Sequence, residues 1–329
     1  AMPRPNPHRP YAPNPDLKAR KPEVSGNAVN GLGEPSPRRP RMVYWAPDPD
    51  DIPHGEMQRW FYTVNAGHPK LTENRERRRA ILEAPLPPLA PAPTQRSPEA
   101  WTAALDRFVA SGDCEMTGVA EMRDDWVYEG RQVSRSRIGG IGVQHDYDVS
   151  SQAPDVEAGA EVTRQYARAA AAAKTLAGWL RQEGWEAEPV TGPMTGEVLL
   201  IPPALECGFG ELGKHGSLIN PEFGASFRLS AVLTDAPFAP TPKREFGVDE
   251  FCASCRICED ACPPFALSPD KQLVRGEERW YVDFDKCLPF FNETNGCASC
   301  IAVCPWSRPG VGESLAAKLA RRAERLAEA

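Results

Sequence analysis

Eight of the ten cysteines lie close together near the C-terminal end and are spaced for metal binding. The first four follow the pattern C-x2-C-x2-C-x3-C and precede a proline. The second four also end in Cys-Pro, with a first gap of nine residues. The eight are Cys252, Cys255, Cys258, Cys262, Cys287, Cys297, Cys300 and Cys304. This spacing is typical of thiolates that hold [4Fe–4S] clusters, in which the last cysteine of a run binds the other cluster.

The crossed pattern predicts two ligand sets. One set is Cys252, Cys255, Cys258 and Cys304, and the other is Cys262, Cys287, Cys297 and Cys300. We therefore predict a bacterial-type, ferredoxin-like module with two clusters. Two structural zinc sites are the alternative, although zinc sites seldom use this spacing. The remaining thiols, Cys114 and Cys207, are predicted to be small buried residues.

A pair of clusters that carries electrons needs a terminal redox site, and a glycine-rich run beside Lys214 is the candidate. Four glycines within nine residues leave backbone without Cβ atoms, which a large planar ligand could approach closely. They are Gly208, Gly210, Gly213 and Gly216. For any single glycine, a turn built for close packing is the alternative.

The sequence around these glycines resembles that of the corrinoid-dependent reductive dehalogenases. Gly-Glu-Leu-Gly-Lys-His-Gly occupies 210–216, Pro-Glu-Phe-Gly occupies 221–224 and Thr-Asp-Ala-Pro-Phe occupies 234–238. The similarity extends over 97–310. It implies an α/β (α+β) corrinoid-binding domain fused to the two-cluster module. It also implies an oxidoreductase that reduces a carbon–halogen bond.

The resemblance further implies cobalamin bound base-off, without a protein histidine beneath cobalt. The five histidines are scattered along the chain, and no Asp-x-His-x-x-Gly motif is present. We expect the corrinoid contacts to come from the glycine-rich run. The residues expected there are Gly208, Gly210, Gly213, His215, Gly216, Ser217, Leu218 and Asn220.

Reduction of a carbon–halogen bond consumes two electrons and one proton, so the site needs a weak acid. The family places a tyrosine above cobalt beside Arg or Lys, and motif order assigns these roles to Tyr147 and Lys214. A half-buried strand tyrosine and a solvated turn lysine are the alternative roles for these two. Tyr128 and Tyr166 compete as proton donors, although Tyr166 lies on the apolar face of a predicted helix and is expected in the core.

Two other functions stay open. Epoxyqueuosine reductases share the architecture of cobalamin with two clusters, but their D-S-A-P-x-x-E-R segment has no counterpart in GPMTGEVLLIPPALE at 192–206. The net charge of −7 also gives no general basic field for RNA. A non-catalytic corrinoid or electron-transfer protein is the third reading, and it predicts no cavity above the metal.

Composition and periodicity divide the chain into four parts. Because 20 of the 35 prolines lie in the first 100 residues, 1–96 is predicted to be an extended, aromatic-rich arm that covers the rest. The corrinoid-binding domain follows at 97–245, the cluster module at 246–310 and an amphipathic helix at 311–329. Within the second part we predict a helix from Ser97 to Gly112, a long helix over about Glu161–Gln182 and a strand at 226–234 buried on one face.

The expected partners follow from these assignments. They are a small organohalide and an external electron donor, such as a ferredoxin, a flavodoxin, a quinol-linked protein or a reductase. Nucleic acid is not expected. Since no stretch approaches the ~18 apolar residues of a membrane span, membrane association would come through a partner protein. The compartment stays open between the cytoplasm and export in the folded state with a twin-arginine leader outside this sequence.

Overall fold

A four-stranded antiparallel sheet forms the centre of the fold. The computed structural model describes residues 6–192 and 196–327. The strands of the described residues are β1 (Met116–Glu121), β2 (Arg137–Gln144), β3 (Ala187–Val190), β4 (Glu211–Leu212), β5 (Leu218–Ile219), β6 (Phe227–Thr234), β7 (Gln272–Val274) and β8 (Glu277–Arg279). The central sheet has the order β1-β2-β6-β3, while β4-β5 and β7-β8 form two small hairpins.

Helices surround this sheet and build the two ends of the chain. They are α1 (Pro15–Lys18), α2 (Gly26–Asn30), α3 (Gly55–Phe61), α4 (Pro69–Glu83), α5 (Pro98–Ala103), α6 (Asp106–Ser111), α7 (Tyr147–Ser150), α8 (Val156–Gln182), α9 (Ile201–Glu206), α10 (Val248–Ser254), α11 (Ile257–Ala261), α12 (Phe284–Glu293), α13 (Ser299–Ala302) and α14 (Val311–Ala327). In the described residues, no helix is both long and apolar enough to span a membrane.

The long helix α8 covers one face of the sheet. Its row of small residues, including Ala169 and Ala173, is fully buried and allows close approach to the strands. Leu176 and Leu180 continue the row into a core cluster with Val232 of β6. The predicted helix is therefore confirmed, and it begins five residues earlier than expected.

The opposite face of the sheet is also covered. Phe227, Ala231 and Leu233 of β6 pack there against the segment that contains α9 and Phe209. The prediction of a strand buried on one face is thus wrong, because Val232, on the other side of β6, is fully buried under α8.

The predicted helix between Ser97 and Gly112 is two short helices. The Ser97 hydroxyl caps the first by accepting from the backbone N–H of Ala100, and Gly112 ends the second with a positive φ of 82°. The chain turns between them at Ala104 and Leu105. The turn lets Trp101 and Phe108 both enter the core beneath α8.

The cluster module carries its cysteines on short helices and loops, and both ends of the chain pack against it. Leu315 and Leu319 of α14 contact the core around Cys252. From the N-terminal side, the Tyr44 hydroxyl donates to Asn292 Oδ1 at 2.8 Å, and the ring of Phe61 stacks on Phe291 with centroids 5.8 Å apart. The N-terminal arm is therefore a packed layer in its described part.

Candidate functional site

A cavity of about 1110 Å³ lies where the arm, α8 and the cluster module meet. Its walls are partly aromatic and partly cationic, and one wall carries half of the cluster cysteines. The aromatic lining residues include Tyr44, Trp45, Phe61, Tyr62, Tyr128 and Tyr166. The arginines include Arg75, Arg79, Arg228 and Arg275, and the cysteines are Cys262, Cys287, Cys297 and Cys300. A cavity of this size is large enough for a cofactor and a small substrate.

The electrostatic neighbours of two cysteine thiols bear on the predicted ligand sets. The thiol of Cys300 lies in the electrostatic field of Cys297, Cys287 and Cys262, and also in that of Cys258 from the other predicted set. The thiol of Cys258 lies in the electrostatic field of Cys252, Cys255 and Cys304. These neighbours are compatible with the crossed arrangement, which stays a prediction.

Burial makes these thiols costly to ionise without a counter-charge. It raises the pKa of Cys258, Cys287 and Cys304 to about 12 each. Iron supplies the positive charge that such thiolates require, so the donor set fits [4Fe–4S] clusters. No three His, Cys, Asp or Glu side chains converge on one ion-sized site in the described residues, so this fit rests on the grouping and spacing of the cysteines.

Tyr166, Arg228 and His145 form one hydrogen-bonded unit at the cavity. Arg228 Nη1 donates to the Tyr166 hydroxyl at 3.2 Å, and Arg228 Nε donates to His145 Nε2 at 2.9 Å. Burial, and then the charge of Arg228, hold the pKa of His145 well below its usual range, so the imidazole is neutral and can accept. Tyr166 and Arg228 both line the cavity.

The structure does not bring Tyr147 and Lys214 to this cavity, and neither is among its described lining residues. Tyr147 begins the short helix α7 and is half-buried. Lys214 is buried elsewhere, where its ammonium lies 2.7 Å from Glu259 Oε1. Motif order assigned the two roles to Tyr147 and Lys214, whereas the cation next to the cavity tyrosine Tyr166 comes from β6 and not from the glycine-rich run.

The glycines of that run serve the protein's own packing. A Cβ at Gly208 would lie 2.5 Å from the carbonyl oxygen of Pro242, and a Cβ at Gly210 would meet the carbonyl oxygen of Ile219. A Cβ at Gly213 would lie 2.6 Å from the Ile219 side chain, and one at Gly216 would lie 3.1 Å from a Val282 methyl group. These distances indicate close packing of the chain on itself, and the corrinoid contacts expected at these glycines stay a prediction.

Two of the other predicted contact residues face the cavity and two do not. His215 and Ser217 line it. Leu218 is in the core beside the sheet. Asn220 is fully buried, donates to the Phe209 carbonyl oxygen at 2.9 Å and accepts from the Glu222 backbone N–H at 2.8 Å, so its side chain holds a turn.

His215 offers a polar atom that the protein leaves unpartnered. Its Nδ1 accepts from the Ser217 backbone N–H at 3.2 Å, which places the proton on Nε2, and Nε2 is buried without a hydrogen-bond partner. Burial lowers the pKa of His215 to about 4, so the ring is neutral. A buried N–H donor at a large cavity fits a polar ligand such as a corrinoid, and a protonated Nε2 is not a metal ligand. The expectation of no histidine beneath cobalt stays a prediction.

Sequence reasoning missed Arg228 and underestimated Tyr166. A lone arginine among the buried residues of β6 was the available signal, since a cation at such a position requires partners. The cavity arginines of α4, Arg75 and Arg79, gave no local signal because α4 is polar all round.

Comparison with known proteins gives this site a family context. Residues 251–307 match the family model of the 4Fe-4S dicluster domain. A tetrachloroethene reductive dehalogenase of Dehalobacter restrictus is 34% identical over 217 residues, which are 62% of this chain and 39% of that protein. A tetrachloroethene reductive dehalogenase of Sulfurospirillum multivorans is 30% identical over 179 residues, 52% of this chain and 35% of that protein.

Two further matches bear on the fold and on the alternative function. A catabolic reductive dehalogenase solved with 3-bromo-4-hydroxybenzoic acid has the same fold, with a TM-score of 0.73 and 22% identity over 92% of this chain and 46% of that one. An epoxyqueuosine reductase of Synechococcus is 28% identical over 158 residues, 41% of this chain and 44% of that protein.

The fold and the cysteine module define a mixed α and β protein with a ferredoxin-like, two-cluster module, as predicted. Its similarity to the reductive dehalogenases confirms the resemblance seen in the sequence. The chain spans 39% of the length of the first of these curated relatives.

Proposed function

We propose that this protein is a cobalamin-dependent reductive dehalogenase. The reaction takes two electrons and one proton, breaks a carbon–halogen bond, forms a carbon–hydrogen bond and releases a halide ion. The observation that carries the proposal is the cavity of about 1110 Å³, whose walls contain both one set of cluster cysteines and the Tyr166–Arg228 pair.

The residues present suit the cofactors that this reaction needs. The two crossed cysteine sets would hold two [4Fe–4S] clusters, and the cavity would hold the corrinoid. His215 offers its Nε2–H, while Arg75, Arg79 and Arg275 offer positive charge for the phosphate of a cobalamin tail. When bound, these groups supply low-potential electrons and a cobalt centre that reacts with carbon–halogen bonds.

Tyr166 is the proposed proton donor. Its hydroxyl is at the cavity wall and accepts a hydrogen bond from Arg228, so the proton of the hydroxyl is free to be donated into the cavity. When the proton leaves, the guanidinium stabilises the phenolate at 3.2 Å. His145, by accepting from Arg228 Nε, holds the guanidinium in place.

The aromatic wall suits a small organic substrate. Trp45 and Phe61 pack edge to face with ring centroids 5.2 Å apart, and both line the cavity. Side chains of this kind exclude water and bind an apolar halogenated molecule. The proposal also includes an external electron donor, which would reduce the clusters.

Halide release by the reconstituted protein tests the proposal. Protein loaded anaerobically with iron, sulfide and cobalamin is reduced with a chemical donor and supplied with tetrachloroethene or a brominated phenol. We expect one halide per two electrons, and no release from protein loaded with clusters alone. No halide from either compound, with about eight irons per chain and cobalamin bound, would contradict the proposal.

The same preparation separates the alternatives. An epoxyqueuosine-containing tRNA stem-loop serves as the competing substrate, and we expect no conversion. Conversion of the stem-loop without halide release would support the epoxyqueuosine reductase function. Reduction of bound cobalamin without turnover of either substrate would support a non-catalytic electron-transfer protein.

A further inference from the structure

Lys214 and Glu259 form a buried ion pair outside the cavity. The ammonium of Lys214 lies 2.7 Å from Glu259 Oε1, and the two side chains are 2% and 7% exposed. Neither residue takes part in the proposed proton transfer. A buried pair of this kind is expensive to form, because both charges leave water.

The pair is placed against the first group of cluster cysteines. Lys214 Nζ donates to the backbone carbonyl oxygen of Cys255 at 3.0 Å, and the backbone N–H of Lys214 hydrogen-bonds to the thiol of Cys252. Glu259 directly follows Cys258 in α11. Both charges are therefore fixed beside the same ligand set.

Other groups enclose the pair. The Trp280 ring lies over the ammonium, with its centroid 4.9 Å from Lys214 Nζ. On the outer side, Arg256 Nη2 lies 3.3 Å from Glu259 Oε2 and is largely exposed. Lys271, also at the Trp280 ring, pairs with Asp249 at 2.8 Å. Lys214 is thus the buried cation of this group, while the other cations reach solvent.

We propose that Lys214 and Glu259 are positioning residues that set the reduction potential of the cluster held by Cys252, Cys255, Cys258 and Cys304. The proposal rests on the clusters of the proposed function, but not on dehalogenation or on the identity of the substrate. A cluster that accepts one electron gains one negative charge, so a fixed cation stabilises its reduced form and a fixed carboxylate destabilises it. Because both groups are buried, salt screens them little.

A redox titration followed by electron paramagnetic resonance tests this, using anaerobic protein with both clusters. Lys214→Met should lower one of the two midpoint potentials, and Glu259→Gln should raise the same one. Each shift should reach about tenfold in the reduction equilibrium, which is about 59 mV for one electron. The other midpoint should stay close to its wild-type value.

Two controls separate charge from structure. Lys214→Arg keeps the cation and should keep the potential near that of the wild type. Lys243→Met removes an exposed lysine that pairs with Glu206 and should change neither midpoint. Local loosening of the structure would let water reach the cluster in Lys214→Met and in Glu259→Gln. It would then move the midpoint potential of that cluster in the same direction in both variants.

The opposite signs are the decisive result. Shifts of equal sign, or no shift in either variant at about eight irons per chain, would overturn the proposal. If Lys214→Met fails to bind its full iron, Glu259→Gln and Lys214→Arg decide. In that case a higher midpoint potential in Glu259→Gln is enough to support the proposal, and an unchanged midpoint potential contradicts it. Iron analysis tests the clusters, and halide release by wild-type protein tests the proposed function separately.

Discussion

At the scale of single residues, Arg228 links three parts of the fold. It stands at the start of β6 and donates to Tyr166 of α8 and to His145 directly after β2. A guanidinium has five N–H donors in a fixed plane, so it can serve both partners without changing its position. The orientation of the cavity tyrosine therefore depends on a histidine that accepts only when it is neutral.

His145 makes the stability of the protein depend on pH. Its pKa in the folded protein is well below the usual value near 6.5, so below about pH 6.5 the unfolded chain binds a proton that the native state does not. Stability should fall as the pH decreases through this range. His145→Gln keeps an acceptor for Arg228 and removes the titrating group. This variant should therefore lose less stability than the wild type as the pH decreases.

Melting temperatures at about pH 7.5 and about pH 5 measure the effect. His8→Gln, at an exposed position, is the matched control and should behave like the wild type. Two other buried histidines, His215 and His54, also have lowered pKa values. Some loss of stability at low pH is therefore expected in His145→Gln as well, and it should be smaller than in the wild type. An equal acid-induced loss in His145→Gln and wild type would show that His145 is not the source.

Some candidate site residues could be recognised in the sequence and others could not. The cluster cysteines are recognisable because their spacing is local. The stripe that begins with Val162, Tyr166 and Ala169 looks uniformly apolar, yet its first two members face the cavity and its core part begins at Ala169. Helical periodicity defines a face of α8 but not what lies opposite that face.

At the scale of elements, two glycines let the sheet receive the glycine-rich run. Gly118 of β1 and Gly140 of β2 are directly paired across the strands. A Cβ on Gly118 would meet the Cys207 backbone and would lie 2.9 Å from the Phe209 ring, and one on Gly140 would lie 3.1 Å from the Cys207 thiol. The segment that leads to His215 is thus seated directly on the strands.

Gly118→Ala should therefore destabilise the fold, whereas Gly139→Ala should not. The added methyl group at Gly118 overfills a packed contact and should cost about 1–3 kcal/mol of the free energy of unfolding. At Gly139 of β2 the nearest atom to a new Cβ is 3.8 Å away, which is an ordinary contact. Urea unfolding midpoints measure both variants. Equal midpoints for the two would mean that the close packing at Gly118 carries no stability.

Element prediction was accurate where periodicity is long. The presence of α8 and β6, and the end of α8 at Gln182, follow from repeated apolar spacing, whereas the first turn of α8 was missed. The break between α5 and α6 was not predictable, because no glycine or proline marks Ala104 and Leu105. Burial of both faces of β6 was missed for a similar reason, since Ser and Arg alternate on one face and imitate a solvated surface.

At the scale of the whole molecule, the cavity belongs to no single segment. The arm contributes its aromatic wall, α8 contributes Tyr166, and the cluster module contributes four cysteines. Contacts such as Tyr44 to Asn292 join residues far apart in sequence. Composition predicted that the arm would cover the rest, but only the folded chain shows that the arm closes the cavity.

The central claim is that the cavity holds the proton donor, and halide release per bound cobalamin tests it most directly. Tyr166→Phe keeps the ring and its packing, so clusters and cobalamin should load normally while turnover falls about 10²-fold or more, the scale expected for a positioned general acid. Tyr147→Phe is the matched control and should turn over at close to the wild-type rate. Near-normal turnover in Tyr166→Phe, with a large loss in Tyr147→Phe, would contradict this account.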